Sequence, residues 1–191
     1  MNPVSHYADI RVTGDGVPQI VGILVTRLHG FMASRGKRVA VAFPKYREGE
    51  RPKIGEVLRV FGDPMVLNDL LDDLDGDQRE RWMCGRVKQT PEYEKVAMYS
   101  RVALPRRPDV AKWSLLAHGE YKVEHRIQRR MEMLESMKTL PYFFVRSTSG
   151  QRDFPFTVSR KTMKKGSVEN GSAPNAYGMS RKTEVFAVPE F

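Results

Sequence analysis

Few side chains in this 191-residue chain could do chemistry, and the best placed of them is His29. It stands beside Val17, Ile20, Val21, Leu24, Leu28, Phe31 and Met32, whose three- and four-residue steps predict an amphipathic helix ending near Gly36. A histidine, with a reference pKa of about 6.5, can be neutral near neutral pH and accept a proton, a step worth on the order of a hundred- to ten-thousand-fold in rate. The same position equally suits a border residue between core and solvent. His6, His118 and His125 show no ligand spacing backed by cysteines or carboxylates, so no metal site is expected. Cys84 is the only cysteine, which excludes an internal disulfide framework and fits a reducing compartment. It reads as a small buried hydrophobe. No phosphate-binding GxxxxGKS or GxxxxGKT loop, HExxH, GxSxG or local carboxylate pair is present.

The charge balance says what such a residue would act on. Lysine and arginine number 32 against 23 acidic residues, a formal charge of +9, and this makes polyanions the natural partners: nucleic acid, or an anionic membrane surface. Hydrophobic residues at 40% suffice for a sizeable core. The first residues lack a basic stretch followed by an apolar core, so neither export nor membrane insertion is expected, and a cytoplasmic location is.

The elements that must position His29 follow from periodicity. Tyr7 to Val12 alternates as a strand, Val39 to Phe43 and Ile54 to Phe61 are two more, and Met83 to Val87 is extended. Asp63 and Pro64 have the types of an N-cap and a first helical residue, opening a second helix with Leu67, Leu70, Leu71 and Leu74. The first half thus reads β-α-β-β-α-β, a ferredoxin-like plan in an α+β chain, with residues 1–90 and 91–191 as two domains. Beyond Pro91 come a strand from Tyr93 to Leu104, a hinge at Pro105 to Pro108, Asp109 as a helix cap, and a helix from Tyr121 to Lys138. Val123, Ile127, Met131, Leu134 and Met137 form its expected buried stripe, while Lys122, Arg126, Arg129 and Arg130 share an exposed face open to phosphate. Strands follow at Tyr142 to Arg146, Phe154 to Arg160 and Glu184 to Val188, with a mobile loop expected over Lys161 to Asn175.

Near the C-terminus lie Leu140-Pro141-Tyr142-Phe143-Phe144-Val145-Arg146-Ser147-Thr148-Ser149, then Asn175-Ala176-Tyr177-Gly178-Met179-Ser180 and a closing Phe186 to Phe191. With His6 to Arg11, Arg27-Leu28-His29-Gly30 and Val41-Ala42-Phe43-Pro44 at the front, their order and spacing resemble the CRISPR repeat-processing endoribonuclease of the type I-F system over nearly the whole chain. The resemblance implies His29 as general base, Ser147 fixing the attacking ribose, Ser149 in support and Tyr177 positioning the histidine. It further implies Phe154 stacking at the foot of an RNA stem-loop, Arg101 reading a base, and a C-terminal α/β RNA-binding domain with a modified ferredoxin-like plan. No cofactor is implied. The implied partners are CRISPR repeat RNA and the other subunits of a surveillance complex, with the free protein a monomer.

RNA carries its own nucleophile, the 2′-OH, so a base, an aligned phosphate and charge stabilisation suffice, with a 2′,3′-cyclic phosphate and a 5′-OH as products. Stem recognition by shape with stacking on the stem's end suits Phe154, and a guanine edge suits Arg101. Two positions depart from the family's pattern. Ala103 stands where the family reads a second base with glutamine, and the family's arginine-rich helix falls on Asp109 to Gly119, where Lys112 is the single permanent cation. Either the groove contact is weaker here or, as the favoured expectation, Lys122, Arg126, Arg129 and Arg130 supply it from the next helix, with Arg106, Arg107 and Arg146 as further RNA-binding cations. Three classes stay open on the sequence: a metal-independent endoribonuclease, a catalytically silent hairpin cap, and an unrelated ferredoxin-like RNA-binding protein.

Overall fold

The computed structural model describes residues 4–75, 81–103, 119–146, 152–167, 173–181 and 185–191, with backbone alone for 119–124 and 126. The chain order is β1 (His6–Val12), α1 (Val17–Arg35), β2 (Ala40–Ala42), β3 (Val57–Gly62), α2 (Pro64–Asp75), β4 (Trp82–Cys84), β5 (Lys88–Gln89), β6 (Lys95–Val102), α3 (Gly119–Met137), β7 (Tyr142–Arg146), β8 (Asp153–Lys164) and β9 (Val188–Glu190). Ala8, Ile10 and Val12 are buried along β1 while Arg11 is exposed, the alternation of a half-buried strand. Asp63 caps α2 as its type predicts: Oδ1 accepts from the Met65 amide at 2.9 Å, just ahead of the apolar face of Leu67, Leu70, Leu71 and Leu74.

The first sheet runs β2-β3-β1-β4, antiparallel throughout, with β5 also pairing β1. This is the strand order of the ferredoxin-like plan, so the expected β-α-β-β-α-β reading holds. Of the stretch expected from Met83 to Val87, only Met83 and Cys84 lie in a strand, β4; residues 85–87, where the Gly85 amide donates to the Asp9 carbonyl at 2.8 Å, connect it to β5. The second sheet runs β7-β8-β6-β9, again antiparallel. Counted from its own first strand this is the same order, with the segment between β8 and β9 showing no helix among the described residues.

Two expectations for the second half need correction. The stripe on α3 is not buried: Ile127, Met131 and Leu134 are 41%, 60% and 42% exposed, since periodicity marks a helix's apolar face without supplying a surface to cover it. The side chain of Val123 lies outside the described residues, as do the Pro105 to Pro108 hinge and Asp109. Second, Lys161 to Lys164 are not loop. They extend β8, pairing with Met98 to Lys95 of β6, whose backbone needs a partner along its full length.

One hydrophobic cluster runs through both sheets, from Ile10, Leu28 and Phe61 to Phe143, Phe156 and Val158. Two buried tyrosines cross between them: Tyr99 donates to the Phe43 carbonyl at 3.2 Å, and the Tyr46 hydroxyl, 2.7 Å from Glu48 Oε1, lies 2.9 Å from the Val158 carbonyl, its one proton shared between these two acceptors. Burial pushes both phenols up, so they remain donors. Arg59, 9% exposed, makes a bidentate pair with Asp9 at 2.6 and 3.0 Å and donates to the Phe191 carbonyl at 3.0 Å, its guanidinium lying 4.7 Å from the Tyr7 ring and 4.1 Å from the Phe191 ring.

The helix that carries His29 is seated on the second sheet by a glycine. A Cβ on Gly22 would lie 1.6 Å from the Phe144 carbonyl oxygen, so α1 covers the open edge of β7 at backbone distance. Gly30, also on α1, has nothing within 4 Å of such a Cβ. The two glycines should therefore respond oppositely to alanine. Gly30→Ala is expected to stabilise by about 0.5–1 kcal/mol through helix propensity, and Gly22→Ala to destabilise by about 3 kcal/mol or more through overpacking, both measured by urea denaturation.

Candidate active site

His29 sits two turns beyond Gly22 on the same side of α1, half-buried where the helix passes the second sheet. Its Nδ1 lies 2.7 Å from the Ala176 carbonyl oxygen, 147 positions along the chain. A carbonyl oxygen only accepts, so Nδ1 carries the proton and donates. In the neutral ring the lone pair then belongs to Nε2, the reverse of the tautomer that a free histidine side chain prefers. The Tyr177 ring stacks on the imidazole at 4.8 Å with a 19° interplanar angle, and is itself backed by Phe156 at 5.2 Å. An imidazole held on one nitrogen and one face can accept a proton at the other nitrogen without reorienting.

The carbonyl that orients His29 is fixed by the turn from Asn175 to Ser180. Asn175 Oδ1 accepts from the amides of Tyr177 at 2.8 Å and Met179 at 3.1 Å, and the Asn175 backbone bonds Met179 and Gly178. The turn is tied to both sheets. The Val41 amide of β2 donates to the Gly178 carbonyl at 2.8 Å, and the Ser180 amide donates to the Tyr99 carbonyl of β6 at 2.9 Å. Gly178 has φ +75, and a Cβ there would meet Val41 Cγ1 at 2.8 Å, so this position needs glycine on both counts.

Of the residues singled out from sequence, His29 and Tyr177 are brought into contact. Ser147, Ser149, Arg106, Arg107 and Lys112 lie outside the described residues. Arg146, exposed, ends β7 and directly precedes Ser147 in the sequence. Arg101 is exposed on β6, its guanidinium 4.8 Å from the Phe156 ring and 5.7 Å from that of half-buried Phe154, so these two candidate RNA contacts share one sheet face. On α3, Arg129 is exposed and Arg130 half-buried, while the side chains of Lys122 and Arg126 lie outside the described residues. Cys84 is half-buried rather than a core residue; burial, reinforced by a hydrogen bond to Asp75, pushes its thiol up to about 12 and removes it as a nucleophile. Among the described residues no three His, Cys, Asp or Glu side chains gather as a metal site, and no helix is long and apolar enough to cross a membrane.

Sequence reading misses the Ala176 carbonyl, a backbone group with no residue signature, and the side chain of Asn175. An asparagine three residues before a glycine is a turn signal, but what the turn delivers depends on the helix opposite. Replacing Asn175 with alanine strands two partly buried amides at a cost of about 1–3 kcal/mol. Hydrogen exchange at the Tyr177 and Met179 amides should then speed up by about tenfold or more. Asn175→Asp, which keeps the acceptor, should retain the protection; equal exchange in wild type and Asn175→Ala would remove the side chain from this role.

Among curated proteins none matches the chain. The family model for CRISPR-associated protein (Cas_Csy4) matches residues 7–191, a span holding both sheets, His29 and the turn that orients it. The chain therefore belongs to the Cas_Csy4 family, the CRISPR repeat-processing endoribonucleases of type I-F systems.

Proposed function

We propose that this protein cuts the stem-loop of a CRISPR repeat in precursor crRNA at the 3′ base of the stem, without a metal ion, using His29 as general base. The observation that supports this reading is the bond from His29 Nδ1 to the Ala176 carbonyl, which leaves Nε2 as the basic nitrogen. Nε2 takes the proton of the 2′-OH next to the scissile phosphate. The 2′ oxygen bonds to phosphorus, the bond from phosphorus to the 5′ oxygen breaks, and the departing oxygen takes a proton from solvent or a second acid. A 2′,3′-cyclic phosphate and a 5′-OH result.

The remaining roles belong to the same proposal. Ser147 holds the 2′-OH in line, Ser149 supports it, and the Tyr177 ring keeps the imidazole plane fixed. Arg146, one residue before Ser147, offers a cation for the charge developing on the phosphoryl oxygens. Phe154 stacks on the foot of the stem and Arg101, beside it, reads a base edge. Arg106, Arg107, Lys112, Lys122, Arg126, Arg129 and Arg130 contact phosphate along the stem. Residues 1–90 form the domain that carries the histidine and residues 91–191 the domain that carries its partners, with the scissile bond between them. The cut hairpin stays bound as the 3′ end of the crRNA in a type I-F surveillance complex.

Repeat-hairpin RNA incubated in EDTA tests this directly. Wild type should cut it, His29→Ala should slow cutting by about a hundred- to ten-thousand-fold with hairpin affinity unchanged, and a 2′-deoxy sugar before the scissile phosphate should abolish cutting. Cleavage of the deoxy substrate would overturn the chemistry, and wild type that binds but never cuts would be a hairpin cap instead.

A further inference from the structure

α1 presents a second feature beside His29. Gln19, Ile23 and Thr26 on its solvent side, together with Arg27, face Phe144, Arg146 and Asp153 across a cleft of about 330 Å³, lined also by Gly22. That volume is at the small end of the roughly 300–1,000 Å³ range of ligand pockets, room for one base and not for a duplex. Its position is set by the same helix: Thr26 is about one turn before His29, roughly 5 Å along the axis. Its other wall includes the final residue of β7, next in sequence to Ser147.

The two faces of the second sheet give the cleft its direction. Phe154 and Asp153 are neighbours in β8, so their side chains leave opposite faces. Phe154 opposes Val145, and Arg101 lies over its ring; Asp153 opposes Arg146, and both line the cleft. A stem stacked on Phe154 occupies one face, and a strand that continues past His29 leaves the stem and meets the other. The geometry points to this cleft as the subsite for the first nucleotide 3′ of the scissile phosphate, held as an unpaired base. This inference rests on the function proposed above. Phe144 and Ile23 offer flat and apolar contact to a base. Thr26 Oγ1 already donates to the Gly22 carbonyl at 2.8 Å, so toward the cleft it serves as an acceptor, and Gln19 can both donate and accept. Arg27 and Arg146 at the cleft attract the strand's phosphates, and the Asp153 carboxylate accepts from exocyclic amino groups, which favours adenine, cytosine or guanine over uracil at this position.

The test uses hairpins blocked by a 2′-deoxy sugar, ending at the scissile phosphate or carrying one further 3′ nucleotide. Affinity for wild type should rise about tenfold when cytidine is added, less with uridine, and not at all with an abasic residue. Ile23→Glu, which charges the apolar wall, should erase the gain while keeping the affinity for the shorter hairpin; that retained affinity also reports folding. Gln19→Ala, a milder change on the surface of α1, should reduce the gain. Equal wild-type affinity for the two hairpins, or a full gain surviving in Ile23→Glu, overturns the subsite alone. Failure of wild type to bind either hairpin overturns the subsite together with the proposed function.

Discussion

A single hydrogen bond, from the His29 ring to the Ala176 carbonyl, sets demands that much of the surrounding structure meets. Such a bond contributes only about 1 kcal/mol net, too little to organise two distant segments by itself. It exists because both of its ends are held independently. α1 is seated against β7 at Gly22, where no side chain would fit, and the Asn175 to Ser180 turn is seated against β2 at Gly178 for the same reason. Two backbone-to-backbone approaches thus bring an imidazole and a carbonyl to 2.7 Å without either having to search for the other.

The holding is distributed over both sheets. The turn bonds β2 of the first and β6 of the second, and a continuous hydrophobic cluster with two crossing tyrosines keeps the sheets in register. At the far side Arg59 ties β3 to β1 through Asp9 and reaches Phe191, so the end of β9 is fastened to the first sheet as well. Loss of Asp9 would leave a largely buried guanidinium without its carboxylate, a strongly destabilising change. Chemistry at Nε2 therefore rests on packing that lies mostly outside the site. That arrangement fits the role proposed for the ring, accepting a proton at Nε2 without changing its plane.

Local physics made the first half legible. Alternation in β1, the three- and four-residue steps of α1 and the cap at Asp63 are each set by neighbours in sequence, and together they gave the ferredoxin-like strand order. What escaped was non-local. The apolar stripe of α3 has the right period, yet Met131 is 60% exposed, because a period names a face and not its cover. Lys161 to Lys164 look like loop by composition but pair with β6, a partner more than sixty positions away. At the site, His29 and Tyr177 could be named from their motifs; the carbonyl between them could not, since every residue has one. Arg101 could likewise be named from its motif, whereas the ring of Phe156, 4.8 Å from its guanidinium, could not.

The central claim concerns one proton on one ring, and 15N NMR of the His29 imidazole in the intact protein, at a pH where the ring is neutral, reads it directly. The expected spectrum has a protonated, pyrrole-like Nδ1 and an unprotonated, pyridine-like Nε2. A protonated Nε2, or a ring averaging between the two tautomers, would contradict the claim that the Ala176 carbonyl sets His29 up as a base.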